Sequence, residues 1–140
     1  MLVAFLLMAL VFGVVADPLV SGPVEFNRDI RPILSDRCYF CHGPDKGHRK
    51  ADLRLDTREG LLGAPGETGS VVPSKPDASE LLERMLSTDP DKRMPPPKSG
   101  KDLSPAEIAL VRRWIEQGAP YEGHWAFQAI KRPKPAVVAP

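Results

Sequence analysis

The sequence predicts a small, mostly α-helical domain in which three short helices are joined by long loops. Three observations lead there. The chain has 140 residues, so a single domain is the starting expectation and two would be cramped. Sixteen of the residues are proline, more than twice the ordinary share, which argues against long uninterrupted helices and against a large regular sheet. Apolar residues recur with helical spacing in three windows, each bounded by capping or breaking residues.

The elements follow in order. Residues 1–16, MLVAFLLMALVFGVVA, carry no charged side chain before Asp17. The run is shorter than the roughly 20 residues of a comfortable membrane span. Val14, Val15 and Ala16 place small residues ahead of a cut between Ala16 and Asp17, which reads as a secretory signal peptide, with only the α-amino group standing in for a basic leader. A periplasmic or secreted protein is expected. An uncleaved anchor is the alternative, and only then would a membrane be a partner. Residues 17–23 read as a flexible arm.

Residues 26–37 hold Phe26, Ile30, Ile33 and Leu34 on one helical face. Asn27 or Asp29 is the expected cap, and Asp29 suits Pro32 better because proline is tolerated in a first turn. Residues 43–76 are rich in Gly, Pro, Asp and Lys and read mostly as loop, with 51–57 as a short extended piece or a turn of helix. Asp77 and Glu80 form the ends of a capping-box pattern ahead of Leu81, Leu82, Met85 and Leu86, and that helix should stop near Ser87 before the Asp89-Pro90 breaker. Residues 90–103 are a proline-rich loop. Ser104 and Glu107 repeat the capping box, with Pro105 at the first helical position. Ile108, Val111 and Ile115 form the stripe of this last helix, flanked by Leu110 and Trp114, and Gly118 ends it. Residues 129–140 are Lys-, Pro- and Ala-rich and read as a linker.

Lys and Arg number 19 against 18 Asp and Glu, a net charge of +1, so electrostatics give no reason to expect nucleic acid or an anionic membrane as partner. Two cysteines rule out a disulfide-dense scaffold. A small domain with long loops usually needs a staple, and without disulfides a cofactor would supply the missing core.

Both cysteines lie in Cys38-Tyr39-Phe40-Cys41-His42. C-x-x-C-H is the attachment motif of c-type haem. Two cysteines three apart face the same side and can each form a thioether to one haem vinyl, while the next residue carries its imidazole under the ring. Two other readings compete. A zinc site would use Cys38, Cys41, His42 and His48, but adjacent ligands at 41 and 42 strain a tetrahedral cage and no second C-x-x-C or H-x-x-x-H is present. A thioredoxin-like redox pair would need a βαβ context, which is absent. For the sixth coordination site, Met94 stands between Arg93 and three prolines, where a core-stripe role does not account for it. Met85 has the spacing of an ordinary core residue. His48 and His124 are bis-histidine alternatives, and an open site is a further one.

Beyond the haem motif, the segments EFNRDIRPILSDRC at 25–38, CHGPD at 41–45, LRLDTR at 53–58, RMPPP at 93–97, RWIEQGA at 113–119 and HWAF at 124–127 together resemble the planctomycete-type cytochrome c domain. The likeness covers about residues 24–128. It implies a small cytochrome c-like fold wrapped around haem c, with covalent haem at Cys38 and Cys41, His42 as proximal ligand and Met94 as distal ligand. It also implies that the domain opens a longer secreted protein, and this chain stops at Pro140 in what resembles the linker to a next domain, so a fragment or a free-standing cytochrome is expected.

The function expected is outer-sphere electron transfer with an unnamed redox partner protein, serving any enzyme only through domains absent from this chain. A haem-based sensor or small catalytic haem site with a labile distal ligand is the alternative, and a zinc-binding interaction module a further one. Arg28, Arg31, Arg37, Lys46, Arg49 and Lys50 give a basic flavour around the attachment segment, read as solvated surface, with a docking face for an acidic partner as the alternative.

Overall fold

The computed structural model describes residues 22–129. The expected signal peptide, most of the expected arm and the expected linker from residue 130 onward lie outside them. Among the described residues there is no strand, and no helix is long and apolar enough to cross a membrane.

The chain enters through a single π-helical turn, Phe26–Ile30, which runs directly into α1, Arg31–Arg37. Pro32 explains the change of register. It has no N–H to offer the carbonyl four residues back, and its ring crowds that carbonyl, so the wider turn ahead of it relieves both problems. The expected side-chain cap at Asn27 or Asp29 is not made, because the helical run begins earlier, at Phe26. Asp29 instead accepts the Glu25 backbone N–H at 2.8 Å, and Asn27 accepts from Arg31 Nε at 2.7 Å. Cys38 interrupts the helix, and α2, Tyr39–His42, restarts it.

The 51–57 stretch is neither strand nor helix. It is a chain of turns in which Ala51 and Asp52 take positive φ. A helix that periodicity did not reveal follows, α3, Arg58–Leu62, capped by Thr57, whose side chain accepts from Gly60 N–H. Five residues are too short to display a helical period.

α4 spans Glu80–Leu86 and stops at Ser87, as expected. Its capping box does not form. Asp77 lies one element earlier, in the 3-10 turn Pro76–Ala78, and pairs with Arg112 at 3.1 Å. Ser79, the actual cap position, turns its hydroxyl away from the helix: it accepts from Val72 N–H at 3.0 Å and donates to the Lys75 carbonyl at 2.9 Å. The side chain that would have capped α4 ties down the loop before it. α5 spans Pro105–Glu116 and has the predicted box in full, with Ser104 N–H on Glu107 at 2.7 Å and Glu107 N–H on Ser104 at 3.2 Å. Gly118, at φ 95°, turns the chain out of it.

The core gathers Phe26, Ile30 and Leu34 from the first helical run, Leu82 and Met85 from α4, and Val111, Trp114 and Ile115 from α5. Trp114 is fully buried, with its ring centroid 5.6 Å from that of Phe26, and its indole N–H donates to the Pro120 carbonyl at 3.0 Å. Tyr121 also packs against Phe26, tilted, with ring centroids 4.6 Å apart. Side chains of this size each contribute roughly 1.5–3 kcal/mol when buried. Leu86 departs from the expected stripe, since it is half exposed. The helices thus close a core of their own on one side. The expectation that a cofactor supplies the core applies only to the other side, where the loops leave a cavity.

Candidate functional site

The site is built from the break after α1. Cys38 N–H completes α1 on the Leu34 carbonyl at 2.8 Å, and the Cys38 carbonyl then accepts from Cys41 at 3.1 Å and His42 at 2.8 Å. This single turn presents Cys38, Cys41 and His42 to one cavity of about 780 Å³. Both thiols are partly buried and unbridged. Gly43 ends the turn because nothing larger fits: a Cβ there would run into the Tyr39 carbonyl oxygen. The glycine-rich loop then wraps back on the motif. Lys50 N–H donates to the Cys41 carbonyl at 2.8 Å, Leu55 N–H to the His42 carbonyl at 2.8 Å, and Arg49 holds the Gly43 and Pro44 carbonyls. In this way Leu53 and Leu55 become part of the cavity wall.

Another part of the wall comes from α4 and the loop after it. Leu81, Arg84 and Met85 line the cavity, and the Met94 N–H donates to the Arg84 carbonyl at 3.0 Å, which fastens the proline-rich loop to the end of the helix. Arg93 pairs with Asp102 at 3.3 Å across the same loop. Met94 and Pro95, joined by a cis peptide, line the cavity.

Cys38, Cys41, His42 and Met94 are therefore brought to one cavity, and Met85 joins them. The two other histidines are not among its lining residues. His48 is exposed, bonded to Asp45 at 2.8 Å and stacked on Phe40 at 4.7 Å. His124 is exposed in the C-terminal turn, 5.9 Å from the Phe127 ring. Among the described residues, no three His, Cys, Asp or Glu side chains converge on a common metal position, so the set Cys38, Cys41, His42 and His48 does not assemble.

Electrostatics agree with a neutral, ligand-type imidazole. Burial pushes the His42 pKa down, and the nearby Arg84 charge adds to that. The Lys50 backbone opposes it, without a hydrogen bond of full geometry to Nδ1, which is buried and unpartnered. Burial pushes the Cys38 thiol up to about 12, the opposite of an activated redox thiolate. The hydroxyl of Tyr39, the residue after Cys38 in the chain, is likewise pushed up to about 12 by burial and has no hydrogen-bond partner.

These features fit a flat, apolar iron cofactor. The volume lies within the roughly 300–1,000 Å³ of typical ligand pockets, and Leu53, Leu55, Leu81 and Met85 give apolar walls. Two free thiols, a neutral imidazole and a thioether supply covalent and axial groups. The wall also carries cations that motif reading did not single out as site residues: Arg37, Lys50, Arg84 and Lys101. Arg37 and Lys50 belonged to the basic flavour read around the attachment segment, whereas Arg84 and Lys101 did not. Arg84 and Lys101 are distant from the cysteines along the chain, and only the fold brings them in.

Comparison with curated proteins and with solved structures gives no match. The family model of the Planctomycete cytochrome C matches residues 38–98, a segment that begins at the first cysteine of the motif and includes Met94. Over that segment the chain is similar to this family of cytochromes c.

Proposed function

We propose that the domain holds haem c through thioethers at Cys38 and Cys41, with His42 as proximal and Met94 as distal ligand, and that it transfers electrons by outer-sphere exchange. The observation that carries this reading is the convergence of the four side chains on one apolar cavity, three from a single helical turn and one from a loop more than fifty residues later. When bound, the haem supplies a one-electron couple. The protein's part is to fix the imidazole by locking the His42 carbonyl to Leu55 N–H, to fix the thioether by locking Met94 N–H to Arg84, and to keep water from both with leucine walls. Two protein ligands leave no iron position for a substrate, which favours transfer over catalysis.

Met85 lines the same cavity and is buried, which makes it the second candidate for the distal thioether. Met94→Ala and Met85→Ala separate the two. The variant lacking the true ligand keeps covalent haem but loses the methionine-to-iron charge-transfer band and gains carbon monoxide binding. If only Met85→Ala does so, the distal assignment moves to Met85. The leader at 1–16 supports a periplasmic or secreted setting with Asp17 as the mature N-terminus, which N-terminal sequencing of exported protein checks. The proposed partner is a redox protein.

A further inference from the structure

The cavity is apolar in its walls, yet four cations line it, Arg37, Lys50, Arg84 and Lys101, against two carboxylates, Asp36 and Glu80. Such a surplus suits an apolar occupant that carries negative charge. The four cations are not equivalent. Arg37 is held by Asp36 and by Glu107, both at 3.2 Å, and Lys101 is held by Asp36 at 2.7 Å. Both are thereby tied to the end of α1, beside Cys38. Lys50 is fixed at the cysteine segment through its N–H on the Cys41 carbonyl. Arg84 alone stands on α4, on the element that carries the Met94 loop. Its guanidinium is oriented by Glu80, one turn back, at 2.8 and 2.6 Å. Partly exposed helix pairs of this kind are weak, so the fork is held in direction but free to take a stronger partner.

We propose that Arg84 is the carboxylate anchor of the bound porphyrin. The inference rests on the reading that this cavity holds haem. A haem linked through its vinyl groups to Cys38 and Cys41 would carry its two carboxylates on the opposite edge of the ring, and Arg84 is the one of the four cations not tied to the cysteine segment. A guanidinium fork matches a carboxylate in two parallel hydrogen bonds, which a lysine does not reproduce. Arg84 thereby orients the cofactor in its plane and keeps its carboxylate ionised beside the iron.

The test uses the full chain matured with covalent haem, and reads the midpoint potential as a function of pH in wild type, Arg84→Gln, Arg84→Lys and, as a control for loss of one exposed charge outside the cavity, Lys46→Gln. Wild type and Lys46→Gln should show the same profile. Arg84→Gln should show a lower potential and a new pH-dependent step near neutrality, because a carboxylate without its cation takes up a proton when the iron is reduced. Arg84→Lys, which keeps the charge and loses the fork, should shift the same way by less, and serves where the glutamine variant fails to accumulate. An Arg84 variant whose profile superimposes on wild type overturns the proposal, as does a step of the same size in Lys46→Gln. If the wild-type chain acquires no haem, the functional reading itself fails. If haem attaches and the Arg84 profiles are unchanged, only the anchor assignment fails.

Discussion

At the scale of single residues, the site depends on positions that a motif pattern leaves blank. Gly43 follows the histidine because the Tyr39 carbonyl occupies the space of a side chain, so Gly43→Ala should displace the His42 turn and cost about 2 kcal/mol or more in denaturant unfolding. Unchanged stability there would show that the turn relaxes freely. Tyr39 makes the opposite case. Its hydroxyl is buried without a partner, a situation that typically costs about 1–3 kcal/mol, so Tyr39→Phe should raise the melting temperature. A fall would reveal a hydrogen bond that the hydroxyl does make. That Cys38, Cys41 and His42 would face one cavity was legible because one helical turn carries all three, and Met94 stood out by its proline-flanked loop. Arg84 did not, since nothing in its own helix distinguishes a cavity cation from one half of an ordinary Glu80–Arg84 surface pair.

At the scale of elements, two identical-looking capping patterns have different fates. The Ser104–Glu107 box forms, and Ser104→Ala should cost about 1 kcal/mol. The Asp77–Glu80 pattern does not form, because the chain before α4 is bent by the turn at Pro76 and Ser79 is drawn into that loop. Asp77→Ala should therefore be nearly neutral, whereas Ser79→Ala, which takes its acceptor from the part-buried Val72 N–H, should cost about 1–3 kcal/mol. Local pattern alone could not separate the two boxes, since the difference lies in what each serine meets in the folded chain. Glu107 also gives α5 a pH dependence. Its carboxyl is held below the usual range, first by the Ser104 backbone N–H and then by the Ser104 and Arg37 side chains. A lowered folded-state pKa contributes stability that is present above the unfolded value of about 4.5 and is lost as pH falls through the folded value. Glu107→Gln should be less stable than wild type at neutral pH and should converge on it in acid. A constant gap down to low pH would place the effect in packing rather than charge.

At the scale of the whole molecule, the mostly helical class was legible from proline content and three amphipathic windows, and α4 and α5 lie close to where periodicity put them. What stayed hidden was the division of labour between core and cavity. Trp114, Phe26 and Leu34 close one side without any cofactor, while the long loops, unreadable as periodic elements, turn the other side into a pocket lined by both methionines and the haem motif. Filling that pocket with a covalently held apolar group stabilises the folded state over the unfolded one only where the folded walls grip it. Cys38→Ala with Cys41→Ala should accordingly unfold at a lower temperature and over a broader range than the haem-bearing chain. The central claim is that the two cysteines carry haem, and the most direct measurement is a pyridine haemochrome spectrum with intact mass on the chain expressed with c-type maturation. The account predicts a spectrum of the two-thioether type and one haem mass retained under denaturing conditions. A chain of bare polypeptide mass, or haem that extracts into acidified solvent, would contradict it.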